Sequence, residues 1–167
     1  HHQILNAMAI LAAVQVLEED LTSAVLSLGE MKAMDGRGRR HNITLPDGEL
    51  VVIDESYNAN PESMVAALKT LGQFPRLGQG RRIAVLGDMK ELGGQGDALH
   101  KSLVEHISNT DVDVVFTVGR QMKLLQDALP GGRRGAHATT VDGLKSFLTQ
   151  EVHAGDAVMI KGSNSMG

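Results

Sequence analysis

From Leu50 onward, short apolar runs rich in β-branched residues alternate with amphipathic helical stretches, and this alternation restricts the fold more than any other feature of the chain. The strand-like runs are Leu50-Val51-Val52-Ile53, Arg82 to Leu86, Val112 to Val118, a weak one near Ala136, and Ala157 to Ile160. Helical stretches fall between them at Pro61 to Phe74, Asp97 to Ser108, Gln121 to Leu129 and Asp142 to Gln150. Several runs are apolar on both alternating faces, so each strand needs cover above and below, which a parallel sheet with crossover helices provides. The predicted fold is α/β: a Rossmann-like, doubly wound, mostly parallel sheet flanked by helices. Asn60 is placed as an N-cap with Pro61 at the first helical position, and Met64, Val65, Leu68 and Leu71 form the expected buried stripe. Ahead of these, Ile43 and Leu45 alternate with polar residues before Pro46-Asp47-Gly48, which predicts a hairpin whose second strand enters the core.

The first 35 residues have a different character. Ile4 to Leu17 is apolar on nearly every face, which predicts a buried helix packed on several sides, by partners that can lie outside this chain. At about fourteen residues it is too short for a membrane span, which needs roughly twenty, and it lacks a signal peptide's basic flank and cleavage site. Asp20 is a good N-cap for a second helix carrying Leu21, Ala24, Val25 and Leu28, with Gly29 expected as its stop. Two short helices cannot enclose a core. Residues 1–35 are therefore expected to be the closing helices and linker of a preceding domain, and residues 36–167 the α/β domain. His1-His2 reads either as a tag remnant or as native sequence.

The composition removes several functional classes. With 16 Lys+Arg against 20 Asp+Glu the net charge is −4, and the basic residues are scattered, so no electrostatic footprint for nucleic acid is present. Three Phe and one Tyr provide no stacking platform. The absence of cysteine excludes disulfides, thiol nucleophiles and cysteine-ligated metals. Neither G-x-x-x-x-G-K-[ST] nor a strand-linked G-x-G-x-x-G occurs, so a nucleotide's phosphates would have to be gripped elsewhere. The histidines lack the spacing of a helical zinc pair, G-x-S-x-G is missing, His100 reads as a structural imidazole, and the methionines read mostly as core filler.

In sheets of the predicted kind, ligands sit beyond the carboxyl ends of the strands. Three such ends carry polar clusters: Asp54-Glu55-Ser56-Tyr57-Asn58-Ala59-Asn60, Gly87-Asp88-Met89-Lys90-Glu91 and Lys161-Gly162-Ser163-Asn164. All three are expected to open on one edge, where carboxylates, carboxamides, lysines and hydroxyls would suit a polar, charged small molecule. Taken singly, Asp54 and Asn60 read as turn and capping residues, and it is the convergence of three such loops that favours function.

These segments coincide with a known pattern. His2-Gln3-Ile4-Leu5-Asn6-Ala7-Met8-Ala9 resembles the H-N-x-x-N-A-L-A segment of the Mur ligases, and Gly36-Arg37 resembles their interdomain Gly-Arg. Asp54 to Pro61, Val85 to Gly93 and Ile160 to Ser163 resemble stretches of the branch that joins D-Ala-D-Ala to UDP-N-acetylmuramoyl-tripeptide. The likeness runs in order along essentially the whole chain. It implies an ATP-dependent, amide-forming cytoplasmic ligase of peptidoglycan precursor synthesis that works through an acyl phosphate, with ATP and Mg2+ as cofactors. An N-terminal domain would hold the UDP-sugar and a central domain the P-loop. This chain would then be the end of the central domain plus a C-terminal domain truncated at its end, inactive alone, with no catalytic residue of its own and no metal ligand.

The same resemblance implies residue roles. His2 and Asn6 would contact adenine, Arg37 the nucleotide phosphates or ribose, and Glu55 the ribose hydroxyls. Tyr57, Asn58, Asp88, Lys161, Ser163 and Asn164 would shape the D-Ala-D-Ala side. Two residues depart from the pattern: Gln3 stands where Asn is common, and Lys90 stands where many members carry an apolar residue. Lys90 would either pair with the dipeptide carboxylate or be solvated. With His2 in register with the motif, the native reading of that histidine gains weight. Two other readings of the isolated domain are a non-catalytic binding module for a small polar ligand and a domain used for protein contacts.

Overall fold

The computed structural model describes residues 2–31 and 34–166, without the side chains of His2, Gln3 and Met166. The chain divides into two compact units, residues 1–33 and 34–167. The first consists of α1 (His2–Val16) and α2 (Leu21–Glu30). Asp20 caps α2 as its composition predicts, its carboxylate accepting from the backbone N–H groups of Thr22 at 2.9 Å and Ser23 at 3.2 Å. One expectation is corrected in this unit. Gly29 does not stop α2, which runs on through Glu30 and closes with the N–H of Met31 on the Leu28 carbonyl. The apolar faces are also not buried within this unit: Ile4, Leu5 and Met8 are 60–64% exposed and α2 has no buried residue. Two helices offer each other a single seam, which cannot cover a helix that is apolar all round.

The second unit holds β1 (Arg39–Leu45), β2 (Gly48–Asp54), α3 (Pro61–Gly72), β3 (Arg82–Gly87), α4 (Gly96–Ser108), β4 (Val114–Val118), α5 (Met122–Ala128), β5 (Arg134–Ala138), α6 (Val141–Glu151) and β6 (Ala157–Lys161). They build one six-stranded sheet in the order β1-β2-β6-β3-β4-β5. β1 and β2 form the predicted hairpin, antiparallel, with Leu45 opposite Gly48 so that Pro46-Asp47 alone turns the chain. All other pairings are parallel. The sheet is apolar on both faces, as the sequence requires. Val51, Ile53, Ala84, Leu86, Val115 and Met159 pack with α3, α4 and α5, while Ile83, Val85, Phe116, Val118 and Val158 pack with Leu144 and Leu148 of α6.

Local chemistry sets the helix starts. Asn60 and Ser63 form a reciprocal capping box at the head of α3, and Thr140 caps α6. The buried stripe of α3 is Met64, Ala67, Leu68 and Leu71, with Val65 at its margin rather than inside it. Met64, Met89, Met122 and Met159 are core residues, whereas Met8, Met31 and Met34 are exposed, so the filler reading holds from α3 onward and not ahead of it. At the amino ends of the parallel strands, Asp156 is buried and accepts from Arg81 N at 2.8 Å, Arg81 Nη2 at 2.8 Å and His153 N at 3.0 Å. Asp113 accepts from Arg82 N at 2.7 Å and Arg76 Nη2 at 2.9 Å.

Candidate functional site

β6, last in sequence, lies between β2 and β3, with Ile160 opposite Asp54 and Lys161 opposite Leu86. Their carboxyl ends point the same way, so the three polar turns leave the sheet side by side and form one rim. Hydrogen bonds join them: Glu55 N donates to the Ile160 carbonyl at 2.9 Å and Ser163 N to the Asp88 carbonyl at 3.1 Å. Gly87 and Gly162 make the close approach possible, since a Cβ on Gly87 would lie 3.2 Å from the Gly162 Cα.

Lys161 sits under the rim. It is 4% exposed, and its Nζ donates to the Asn58 carbonyl at 2.8 Å and the Glu55 carbonyl at 3.4 Å, with the Glu55 carboxylate 3.9 Å away. Burial pushes its ammonium below the ordinary lysine value, and the Glu55 charge opposes that shift. The cation thus shapes the turn from below. Glu55, Tyr57 and Asn58 are left at its surface, Glu55 partly and the other two freely exposed.

Asp54 ties the Gly36-Arg37 turn to this rim. Its Oδ2 accepts from Gly36 N at 2.9 Å, and its Oδ1 accepts from Ser56 N at 3.1 Å and Ser56 Oγ at 2.6 Å. Partial burial alone would raise this carboxyl, but the hydrogen bonds from Ser56 and Gly36 outweigh it and hold the group below the usual carboxylate value. Gly36 is at φ +73°, where a Cβ would come within 2.7 Å of Tyr57 N, so glycine is required. Arg37 then lies over the Tyr57 ring, its Cζ 4.1 Å from the centroid.

On the far side of the rim, Asp88 is buried and its Oδ1 accepts from Gln121 N at 3.1 Å and Met122 N at 2.9 Å. The carboxylate rests against Gly119, where a Cβ would fall 2.4 Å from it. Lys90 Nζ stands 3.6 Å from Asp88 Oδ2 and is half exposed, so its nearest anion is the protein's own aspartate. His100 is fully buried, with Nδ1 against the Gly96 carbonyl at 2.6 Å and Nε2 accepting from Met89 N at 2.9 Å. That makes it the structural imidazole expected from sequence, fixing the Asp88-Met89 turn on α4. Beyond Asp88 opens a cleft of about 600 Å³ lined by Asp88, Lys90, Asp97, Gly119, Arg120, Gln121, Leu124 and Thr139.

The structure brings Arg37, Glu55, Tyr57, Asn58, Asp88, Lys161, Ser163 and Asn164 to one edge of the second unit. Asn6 is exposed on α1 of the first unit, and the side chain of His2 lies outside the described part. The capping role weighed for Asn60 is visible, and Asn58 Oδ1 accepts from Ala59 N at 2.8 Å, which leaves its amide nitrogen for other partners. Sequence reasoning missed the Gly119-Arg120-Gln121 turn after β4. The signal was there, because Val118-Gly119-Arg120 repeats at β4 the apolar-Gly-polar ending of β3 at Leu86-Gly87-Asp88. Among the described residues no group of three or more His, Asp or Glu is placed to hold a metal ion, and no helix is long and apolar enough to cross a membrane.

Residues 38–164 match the model of the family described as "Mur ligase, glutamate ligase domain". The chain belongs to the Mur ligase family. It is 33% identical over 165 residues to the UDP-N-acetylmuramoyl-tripeptide–D-alanyl-D-alanine ligase of Escherichia coli, covering 98% of this chain and 34% of that protein. A crystal structure of MurF from Acinetobacter baumannii superposes with a TM-score of 0.82 at 26% identity, covering 99% of this chain and 36% of that one. A MurF ligase from Thermotoga maritima, crystallised in complex with ADP, superposes with a TM-score of 0.76 at 24% identity over 98% of this chain and 35% of that one. The chain thus spans about a third of the length of the Mur ligases it matches.

Proposed function

We propose that this chain supplies the C-terminal lobe of an ATP-dependent ligase that joins D-Ala-D-Ala to UDP-N-acetylmuramoyl-tripeptide in cytoplasmic peptidoglycan precursor synthesis, with residues 1–35 belonging to the central ATPase domain. The observation that carries this reading is the single rim made by the β2, β6 and β3 turns. The sequence likeness to the E. coli ligase supports the choice of substrates, and the ADP bound by the Thermotoga protein supports a nucleotide cosubstrate. In the reaction, ATP transfers its terminal phosphoryl group to the tripeptide carboxylate and leaves as ADP. The dipeptide amine then attacks the acyl phosphate carbon, the tetrahedral adduct expels phosphate, and the amine proton passes to solvent or a base.

The residues of this chain serve binding and orientation, which alone can supply roughly 7–11 kcal/mol of such a barrier. Partly exposed Glu55 is suited to accept from the two ribose hydroxyls, and Arg37 can leave the Tyr57 ring and fork onto phosphate. His2 and Asn6 would meet the base. Tyr57, Asn58, Ser163 and Asn164 face outward and would bound the dipeptide side, while Lys161 and Asp88 hold the turns that present them. The sequence has no P-loop, so the triphosphate grip is assigned to another domain. The test joins this chain to the two remaining domains and supplies UDP-N-acetylmuramoyl-tripeptide, ATP and D-Ala-D-Ala. Stoichiometric amide product, ADP and phosphate are expected, with none from the 167-residue chain alone. Turnover by the chain alone, or no D-Ala-D-Ala-dependent product from the joined enzyme, contradicts the reading.

A further inference from the structure

The Gly36-Arg37-Gly38 turn combines a fixed backbone with one uncommitted side chain. Gly36 N donates to Asp54 Oδ2 at 2.9 Å, Gly38 N donates to the Asp54 carbonyl at 2.7 Å, and the Gly36 carbonyl accepts from Tyr57 N at 3.1 Å. Arg37 between these anchors is exposed, and its guanidinium makes no hydrogen bond or ion pair among the described residues; what it touches is the Tyr57 ring, 4.1 Å from the centroid. Tyr57 is itself 52% exposed, and its hydroxyl has no hydrogen-bond partner among the described residues, so the ring face alone holds the pair together. The arginines that support the fold behave differently: Arg81 donates to Asp156, and Arg133 to the Ile107 and Thr110 carbonyls. An exposed cation–π contact favours the stacked form by about two- to fivefold, whereas a charge-assisted hydrogen bond to an anion is worth about ten- to a hundredfold. A phosphate group therefore wins the guanidinium from the ring, and the anchored backbone does not have to move for the exchange.

We propose that Arg37 and Tyr57 form a latch: with no nucleotide bound the guanidinium covers the ring, and the nucleotide's phosphates draw it off and uncover the ring on the dipeptide side. The inference rests on the ligase reading above and deepens it, assigning to this pair a coupling between cosubstrate and incoming dipeptide. A stacked-to-open ratio of about two to five leaves the ring uncovered in about a third to a sixth of molecules, so the latch weakens dipeptide binding about three- to sixfold until nucleotide arrives. Coupling is reciprocal, so the dipeptide tightens nucleotide binding by the same factor.

The test measures D-Ala-D-Ala binding by calorimetry to the joined three-domain enzyme with UDP-N-acetylmuramoyl-tripeptide bound, with and without a non-hydrolysable ATP analogue. In Arg37→Ala the ring is never covered, so without nucleotide the dipeptide should bind about three- to sixfold more tightly than to the unaltered enzyme. Loss of an arginine that only supports the fold would not produce that gain. The effect of the analogue on dipeptide binding should shrink by the same factor. Tyr57→Leu removes the competing ring, so the analogue should bind about three- to sixfold more tightly, while Tyr57→Phe keeps the ring and should keep the coupling. Both side chains are exposed, so the variants should fold. Dipeptide binding to nucleotide-free Arg37→Ala that is no tighter than to the unaltered enzyme overturns the proposal. So does unchanged or weaker nucleotide binding by Tyr57→Leu, or loss of coupling in Tyr57→Phe. With ligation intact in the unaltered enzyme, these results would remove the latch and leave the ligase reading standing. Failure of the unaltered joined enzyme to ligate would remove the ligase reading even if Arg37→Ala bound the dipeptide more tightly.

Discussion

Gly119→Ala tests whether the turn after β4 frames the rim in the way described. Gly119 is at φ +109°, a conformation costly for an L side chain, and its Cβ would fall 2.4 Å from the Asp88 carboxylate. The backbone strain is worth about 1–2 kcal/mol. Asp88 cannot move aside cheaply, because it is buried and holds the N–H groups of Gln121 and Met122. Displacing it weakens hydrogen bonds to a charged group, each worth about 1.5–3 kcal/mol. With the equivalent of one such bond lost, the expected cost is about 2.5–5 kcal/mol, a large share of the 5–15 kcal/mol typical of a whole domain. Urea denaturation followed by Tyr57 fluorescence suits the measurement, since the chain has one tyrosine and no tryptophan and that tyrosine lies on the rim. Gly94→Ala, where nothing lies within 4 Å of the added carbon, serves as the near-neutral control. In an Asp88→Ala background the clash is gone and the extra cost of Gly119→Ala should fall to the strain alone. A Gly119→Ala midpoint equal to that of Gly94→Ala, or full additivity with Asp88→Ala, would refute the reasoning.

Other outcomes follow from the same geometry. Asp54, Asp113 and Asp156 are all held below the ordinary carboxylate value, in each case because hydrogen bonds and nearby cations outweigh an opposing burial effect. Their stabilisation is therefore complete above the unfolded value near 4 and is lost as pH falls through the lower folded values, so the urea midpoint should hold from pH 7 to about 5 and then drop. Asp54→Ala should free the Gly36-Arg37 turn and change Tyr57 fluorescence by releasing Arg37 from the ring; an unchanged spectrum would contradict the described tie. Lys161, buried on the Asn58 carbonyl, should resist amine acylation in the native chain and react on unfolding, whereas half-exposed Lys123 should react throughout, as peptide mapping would show.

The alternation from Leu50 onward, with the hairpin signal at Pro46-Asp47-Gly48 ahead of it, was enough to place the strands and α-helices of the α/β unit and to bring the three turns to one edge, because two-sided apolar strands have few ways to be covered. Sheet order was not legible: nothing local in Ala157 to Ile160 says that this last strand inserts between β2 and β3, a choice made by tertiary packing. Gly29 was misread because a glycine near a helix end is a permissive stop rather than an obligatory one. The apolar faces of α1 find no cover within their own unit, because periodicity reports what a helix could cover and not what is at hand to cover it. Side-chain roles were legible by type more than by direction. The lysine of Lys161-Gly162-Ser163 marks the rim, yet its ammonium points beneath it, and the apolar-Gly-polar ending shared by β3 and β4 marks a turn at Arg120 without marking a role for its side chain.

The account depends on one rim serving nucleotide and dipeptide together, and steady-state kinetics on the joined three-domain enzyme carrying Glu55→Ala tests it most directly. If Glu55 holds the ribose diol, KM for ATP should rise about tenfold or more, as loss of a hydrogen bond to a charged group implies, while KM for UDP-N-acetylmuramoyl-tripeptide stays unchanged. Unaltered kinetics toward ATP would contradict it.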